Sequence, residues 1–369
     1  MRSYTFDVGY LHPRRSLPSM DKKRVLITVA ILALIGILAY FQFREWRHFD
    51  WTKFWSQTED VRWKHILHAI ALIYLAYVLR ALRWQVFLKP AKKSSWLTLL
   101  SPTLIGFTGL ALLGRAGDFI RPYLIARREK LSVSSQVAVW TIERIFDMGA
   151  FTVLMVGAIF ASKGLRTLSF YPRIREGGFL LVAVVSGMAV AAVVIAKNGN
   201  RLADWAETHA SRISATLGQK VATKIREFGM GLNTIRGPWA FAQLSVVSVA
   251  MWYVIALSYK EVTHAYSIPQ LQHLTTSKVL LLMGSSMIGS MVQLPGVGGG
   301  SQVATISMLS GVFDVPKESA ASCGILLFLV TFMAVVPVGL ALAHRAHLSL
   351  RELSVESANE EAAAAVAKT

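Results

Sequence analysis

The sequence predicts an all-α integral membrane protein with about six transmembrane helices and two re-entrant hairpins. Apolar residues make up 54% of the 369 residues and charged residues only 16%, which leaves too little surface charge for a soluble protein of this size. Several apolar runs reach the roughly 20 residues that a helix needs to cross a bilayer. Lys and Arg outnumber Asp and Glu by 39 to 21, as in cytoplasmic loops that face anionic lipid. Nucleic-acid binding is therefore not expected.

The chain begins with a basic segment, residues 1–24, which we expect to be cytoplasmic. The apolar run 25–43 has no small-residue cleavage pattern after it, so it is predicted to remain as the first transmembrane helix of a domain spanning 25–343. A second span, 65–86, ends with arginines and is followed only by lysines, which indicates a cytoplasmic end.

The next apolar run, 96–113, contains Pro102, Gly106 and Gly109 and is followed by another basic segment. A complete crossing would leave that basic segment outside the cell. A re-entrant hairpin over about 96–122, entering from the cytoplasm and returning to it, removes this conflict and keeps 114–130 cytoplasmic. Broken backbone of this kind is tolerated at membrane depth only where protein or a wet cavity shields it.

The remaining elements follow from the same criteria. Two short apolar arms around a glycine-rich turn predict a second re-entrant hairpin, 278–313, which enters from outside. An apolar stripe at helical spacing predicts a cytoplasmic interfacial helix over about 200–230. The acidic, Ala-rich tail, 344–369, is expected to be disordered and cytoplasmic. The further predicted spans are 133–160, 178–196, 239–258 and 319–343.

This topology places 26 Lys and Arg residues on the inside and 12 on the outside, which predicts a multi-pass protein of the inner (plasma) membrane with both termini cytoplasmic. Segment 65–160 (span, hairpin, span) is mirrored by 239–343 with the hairpin opening to the other side. Opposed units with paired broken segments are typical of inverted-repeat transporters, whose binding site lies where the broken segments meet.

Charged residues between 114 and 147 are the main functional candidates. A charge at mid-membrane costs roughly 2.5–3.5 kcal/mol, so such residues pair with one another or serve a function. Arg115, Asp118 and Arg121 either cradle a lipid phosphate or place arginines at the inner interface. Glu143, Arg144 and Asp147 either join that site or only clamp the hairpin.

Two further groups are candidates. The glycine-rich turn of the second predicted hairpin either offers backbone amides to an anionic head group or is a flexible connection. The candidate binding residues there are Pro295, Gly296, Gly298, Gly299 and Gln302. Arg80 and Arg83 are expected at the inner interface, in contact with anionic lipid or the basic turn, or else in transport itself.

At these residues the chain resembles the membrane family of flippase-like proteins that includes the transmembrane region of lysylphosphatidylglycerol synthases. The resemblance covers about residues 65–343, and four short motifs carry it: Arg80-Ala81-Leu82-Arg83-Trp84, Gly114-Arg115-Ala116-Gly117-Asp118 with Arg121, Glu143-Arg144 with Asp147, and the Pro295–Gly300 turn. Two positions depart from the family pattern, Asp118 and Gln302, where the family usually has Glu. The second change removes a negative charge and argues against a proton- or cation-coupled role there.

The resemblance implies translocation of an anionic, aminoacylated or isoprenoid-linked lipid, with a membrane lipid as the ligand. The alternative is a non-transporting scaffold that presents lipid to a separate lipid-modifying enzyme. The chain ends soon after its last predicted span, so we expect no soluble synthase domain and no enzymatic activity. The histidines lack metal-ligand spacing, and no nucleotide-binding loop is visible, so no cofactor or metal is expected. The lipid, the direction of movement and the oligomeric state are left open.

Overall fold

A computed structural model describes residues 50–166, 171–211, 237–291 and 299–346, together with 214–216, 218–219, 222–223 and 225–226. The helices in chain order are α1 (Trp51–Glu59), α2 (Trp63–Leu88), α3 (Trp96–Leu113), a 3-10 helix (Gly114–Phe119), α4 (Ile120–Glu129), α5 (Val133–Ala161), α6 (Lys163–Arg166), α7 (Tyr171–Ala210), α8 (Pro238–His264), α9 (Pro269–Gln272), α10 (Thr276–Gly289), α11 (Gly300–Val312), α12 (Lys317–Phe328), a π-helix (Leu329–Met333) and α13 (Val336–Arg345).

The predicted class of an all-α integral membrane protein is confirmed, because the described chain is helical throughout its regular elements and contains no strand in the ranges given above. Five of its stretches are long and apolar enough to cross a membrane: Trp63–Leu88, Trp96–Leu113, Ser135–Ala161, Pro238–His264 and Lys317–Arg345. Three of them contain the predicted spans 65–86, 239–258 and 319–343, and Ser135–Ala161 covers all but the first two residues of the predicted span 133–160. The fifth, α3, was assigned to the outgoing arm of a hairpin.

Other predicted segments are described in part or not at all. The N-terminal segment 1–24, the first span 25–43 and almost all of the tail lie outside the described residues. The span 178–196 lies within α7, which is kinked at Asn198. The predicted interfacial helix, 200–230, is described only in pieces. There Arg226 pairs with Asp204 and Glu207, at 2.7 and 3.1 Å, so the chain after α7 folds back against the end of that helix.

Helices α2 and α8 pack antiparallel along their length. At one end His65 lies 2.7 Å from Glu261, and farther along the Ser258 hydroxyl donates to the carbonyl of Ala69 at 2.9 Å. Near the other end Arg83 donates to Ser248 at 2.9 Å. The start of α2 and the end of α8 therefore share one end of the molecule, and the opposite ends share the other.

Helix α3, the 3-10 helix and α4 form a closed helical hairpin. Gly114, with φ 64°, turns the chain out of α3, and a Cβ at Gly106 would collide with Arg121 on the returning arm. The outgoing arm is about 27 Å long at 1.5 Å per residue, and the return arm has about the same length when the 3-10 part rises by 2 Å per residue. Consistent with this, Glu129 at the end of α4 accepts from Ser94 at 2.7 Å and pairs with Lys92 at 3.0 Å.

The hairpin therefore extends to Glu129 rather than to residue 122, and this changes the expected position of its turn. Gly117 packs directly against the backbone of Gly109, about 20 Å along α3 from its first residue at 1.5 Å per residue. The sequence interpretation placed all of 114–130 at the cytoplasmic surface. In the structure the 3-10 turn lies at the far tip of the hairpin, because the return arm is as long as the outgoing one.

Helices α10 and α11 form a second hairpin with arms of 14 and 13 residues. Each arm is about 20 Å long at 1.5 Å per residue, shorter than the ~30 Å hydrocarbon core. The arms approach closely next to the connecting turn, where a Cβ at Gly289 would collide with the carbonyl of Gly300. Most of the predicted turn lies outside the described residues, 292–298 included.

The molecule has two halves, α2–α5 and α8–α13, and the contacts between helices in one half correspond to those in the other. In each half the outgoing arm of the hairpin packs against the last helix of the other half. Thr108 of α3 lies 3.3 Å from the carbonyl of Val335 beside α13, and a Cβ on Gly284 of α10 would lie 2.8 Å from Met155 of α5. The return arms, α4 and α11, pack against the last helices of their own halves. With α2 and α8 antiparallel, this is the contact pattern of an inverted repeat.

Candidate functional site

Arg83 occupies the centre of a buried ion network. Its side chain is 0% exposed, and it pairs with Glu143 and, at 2.7 Å, with Asp147, both on α5. Its third partner is the hydroxyl of Ser248 on α8. The sequence interpretation placed Arg83 at the inner interface in contact with lipid. The structure places it inside the protein instead, because two carboxylates and a hydroxyl from neighbouring helices replace water around the guanidinium.

Arg121 brings the first hairpin into the same network. It pairs with both carboxylate oxygens of Glu143, and its Nη1 lies 3.0 Å from Oε1. The guanidinium carbon also lies 4.4 Å from the ring centroid of Trp84 and 5.1 Å from that of Phe107. Arg80 lies 4.7 Å from the same Phe107 ring. Aromatic faces attract cations, so these rings stabilise the guanidinium groups of Arg80 and Arg121.

Arg144 is held more loosely than the other arginines of the network. Its Nη2 lies 3.4 Å from Glu143 and 3.3 Å from Asp147, and its side chain is 39% exposed, against 0% for Arg83 and 4% for Arg121. Two buried nitrogens at this edge, Arg144 Nε and Trp140 Nε1, have no hydrogen-bond partner among the described residues. The edge around Arg144 is thus where the network is open.

The network lies deep along its helices. Asp147 is the middle residue of α5, and Trp252, which donates to Asp147 at 3.1 Å, is next to the middle of α8. A third link, from Trp84 to Gln136 at 3.1 Å, joins α2 to α5. These ties come from both halves of the molecule, so the charges lie where the first hairpin and the crossing helices of the two halves meet.

The remaining predicted residues are placed as follows. Asp118 lies in the 3-10 turn, where its charge attracts the guanidinium of Arg144. Gln302 lies on α11, with its backbone carbonyl beside Gly324 of α12, and has no recorded hydrogen bond to the arginines among the described residues. Gly299, with φ 58°, directly precedes α11 as its N-cap residue. The side chain of Arg115 and residues Pro295, Gly296 and Gly298 lie outside the described part of the chain.

Sequence reasoning missed the polar face of α8. Two residues on one face of α8 contact the network: Ser248 accepts a hydrogen bond from Arg83, and Trp252, four residues later, donates one to Asp147. Farther along, the hydroxyl of Tyr259 lies 3.5 Å from Ser286 on the second hairpin. The signal was available, because these polar groups recur at helical spacing within an apolar span. Ser and Trp are common enough in such spans that the pattern alone does not single them out.

A search of curated proteins and a search of solved structures each gave no match. The sequence profile of the lysylphosphatidylglycerol synthase TM region matches residues 25–339, which is most of the chain and includes every element of the network described above. The protein therefore belongs to the family of the lysylphosphatidylglycerol synthase transmembrane region, and its apolar helices fit a multi-pass membrane protein of lipid metabolism or transport.

Proposed function

We propose that the protein translocates a lipid across the cell membrane and binds its head group at the arginine–carboxylate network. The lipid is anionic, aminoacylated or isoprenoid-linked. The chain acts without catalysing a reaction of its own. The family membership supports a role in lipid handling, and the network supplies chemistry that a phosphate-bearing head group needs.

The observation that carries the proposal is that two arginines, Arg83 and Arg121, and two carboxylates, Glu143 and Asp147, are buried among apolar helices, with the partly exposed Arg144 beside them. Each such charge costs roughly 2.5–3.5 kcal/mol at the centre of a bilayer, so a purely mechanical tie between helices is an expensive use of them. Intramembrane ionisable groups more often mark the path of a substrate. Here the charged residues lie against the first helical hairpin, which we propose enters the membrane and returns to the same side instead of crossing it.

The contacts of each hairpin with the last helix of the other half support a movement of the two halves between two states. Each hairpin packs on the last helix of the opposite half, as expected if the halves rock against one another around a central site. We also propose the orientation expected from the charge distribution. The end that carries Lys89, Lys92 and Lys130 is cytoplasmic, and the N- and C-termini lie on that side of the inner membrane.

Reconstituted liposomes test the proposal directly. Purified protein is incorporated with phosphatidylglycerol that carries a fluorophore on an acyl chain, and an impermeant reductant then reports which leaflet holds the label. Wild-type protein should move the label between leaflets, Arg121→Lys should move it more slowly, and Arg121→Gln more slowly still, since only guanidinium matches Glu143 at two points. Arg226→Gln, which alters an exposed ion pair after α7, is the matched control.

A second candidate function is a scaffold that presents lipid to a separate lipid-modifying enzyme without moving it. The tight pairing of Arg83 and Arg121 favours this candidate, because a network whose central arginines are already ion-paired with carboxylates needs no ligand to balance their charge. Saturable lipid binding without movement of the label, in liposomes that contain folded protein, would select the scaffold over the flippase.

A further inference from the structure

We infer that Arg144 is the residue that contacts the lipid phosphate, and that the site selects an anionic head group without a cationic substituent. This inference rests on the proposed lipid-binding function and narrows it. The arginines then have two roles: Arg83 and Arg121 hold the helices of the site together, whereas Arg144 binds the ligand.

The first support is the difference in how the arginines are held. Arg83 and Arg121 are nearly or fully buried, and both pair closely with Glu143. Arg144 reaches the two acids of α5 through one nitrogen, Nη2, at the longer distances of 3.3 and 3.4 Å. A guanidinium has five N–H donors, so most of those on Arg144 remain available for phosphate oxygens.

The second support is a pair of unpartnered donors at the same edge. The Arg144 guanidinium carbon lies 5.7 Å from the ring centroid of Trp140, and the Phe119 ring lies 5.3 Å from that ring. Both Arg144 Nε and Trp140 Nε1 are buried atoms without a hydrogen-bond partner among the described residues; Arg83 Nε is a third such donor, but it belongs to a side chain that is 0% exposed, whereas Arg144 is 39% exposed. Buried donors are almost always satisfied, and two neighbouring unsatisfied ones mark a place where acceptor oxygens belong.

The third support concerns the carboxylates. Glu143 is shared by Arg83, Arg121 and Arg144, while Asp147 is shared by Arg83, Arg144 and the indole of Trp252. Asp118 is also engaged electrostatically with Arg144. An incoming ammonium group would have to displace an arginine from one of these acids. Among the described side chains, each acid of the network already faces at least one arginine; Asp147 Oδ2, which has no hydrogen-bond partner there, lies 3.3 Å from Arg144 Nη2, so an ammonium group at that oxygen would compete with Arg144.

The charge balance points the same way. Four arginines stand against three acids, which leaves one positive charge among the described side chains of the network: Arg80, Arg83, Arg121 and Arg144 against Asp118, Glu143 and Asp147. One phosphodiester carries one negative charge and neutralises it. A head group that also carries an ammonium would bring a positive charge to a site that already has one in excess, in surroundings that screen charge weakly.

Equilibrium binding in nanodiscs of neutral phosphatidylcholine tests the inference. The probes are radiolabelled phosphatidylglycerol, labelled lysylphosphatidylglycerol and soluble glycerol 1-phosphate, which carries the phosphate without acyl chains. The variants are Arg144→Gln, Arg144→Lys and Trp140→Phe, which removes the indole donor but keeps an aromatic ring. Arg226→Gln is the control, and each variant is first shown to be monodisperse with a wild-type melting temperature.

We expect wild-type protein to bind phosphatidylglycerol about tenfold more tightly than the lysylated lipid, as one charge-assisted contact supports. Arg144→Gln should weaken phosphatidylglycerol binding by about tenfold and reduce the preference, with smaller losses for Arg144→Lys and Trp140→Phe. Glycerol 1-phosphate should not compete at millimolar concentration, since the ligand is a lipid and not a free phosphate.

Two outcomes overturn the inference: the lysylated lipid binds as tightly as phosphatidylglycerol, or Arg144→Gln binds phosphatidylglycerol like the wild type. Translocation of the same two lipids, measured in parallel, keeps the proposed function separate. Movement of both lipids without preference refutes the selectivity and leaves the flippase standing. Selective binding that depends on Arg144, without movement of either lipid, supports the inference and refutes the flippase.

Discussion

Arg121 and Glu143 form a two-point ion pair that ties the first hairpin to α5, and the same carboxylate also holds Arg83 of α2. One buried acidic side chain therefore joins three helices, α2, α4 and α5.

Replacing Glu143 should lower the stability of the folded protein more than replacing a residue of an exposed ion pair. Glu143→Gln leaves Arg83 and Arg121 buried without their shared carboxylate, a loss of about 3 kcal/mol for a broken buried pair. Thermal unfolding in detergent should show a lower melting temperature, whereas Arg226→Gln should change it little. Adding Arg121→Gln should restore part of the loss, because it removes one of the unpaired charges. If the two losses simply add, the residues are not energetically coupled.

The close approach of the hairpin arms gives a second prediction. Gly106→Ala should lower the melting temperature and weaken lipid movement, because the new Cβ would collide with the backbone and Cβ of Arg121 and push that residue out of the network. Gly149→Ala and Gly157→Ala are matched controls on α5, where an added Cβ meets nothing within 4 Å. They should be neutral or slightly stabilising, since Ala favours a helix by up to about 1 kcal/mol over Gly. Equal losses in all three variants would contradict the packing argument.

The hairpin also predicts which surfaces share a side of the membrane. Ser132 follows the hairpin base at Glu129, whereas Ser267 lies beyond the end of α8. With buried Cys323 replaced by Ala, single cysteines at these two exposed serines should react oppositely with an impermeant thiol reagent applied to intact cells. We expect labelling at 267 only. Labelling of both from outside would contradict the proposed orientation of the hairpin.

The base of the hairpin should respond to acid. Burial raises the pKa of Glu129, but the hydrogen bonds from Ser94 and Lys92 outweigh it, so the pKa lies below its ordinary value of 4.5. The ionised carboxylate therefore stabilises the folded protein above pH 4.5, and this contribution is lost as the pH falls through the folded pKa. The melting temperature of wild type should exceed that of Glu129→Gln at neutral pH, and the two should converge in acid. A gap that does not change with pH would assign the effect to packing.

The spans and the charged network could be expected from the sequence because both rest on local patterns. Apolar runs of spanning length identify α2, α5 and α8, and the spacing of Glu143, Arg144 and Asp147 places them on one helix face. The position of Arg83 could not be expected, because nothing near it in the chain is acidic. Its carboxylate partners lie 60 and 64 residues away, and only the packing of α2 against α5 brings them together.

The length of the return arm of the first hairpin was underestimated for a related reason. Its basic residues suggested a surface segment, yet Arg121 is buried by partners contributed from elsewhere, while Arg127 and Arg128 near the end of α4 are exposed as expected. Charge alone does not tell where along a helix the surface begins. The glycines that permit the close packing, Gly106 and Gly117, are the local signal that could have placed the turn deeper.

The long separation between Arg83 and its partners has a consequence for how the chain is made. Arg83 leaves the ribosome 60 residues before Glu143 and 165 before Ser248. During that interval α2 carries a guanidinium with none of these partners, and the cost of holding it in lipid keeps that end of the helix near water. We therefore expect α2 to reach its final depth only after α5 has been inserted, and assembly of the first half to be completed when its last helix arrives.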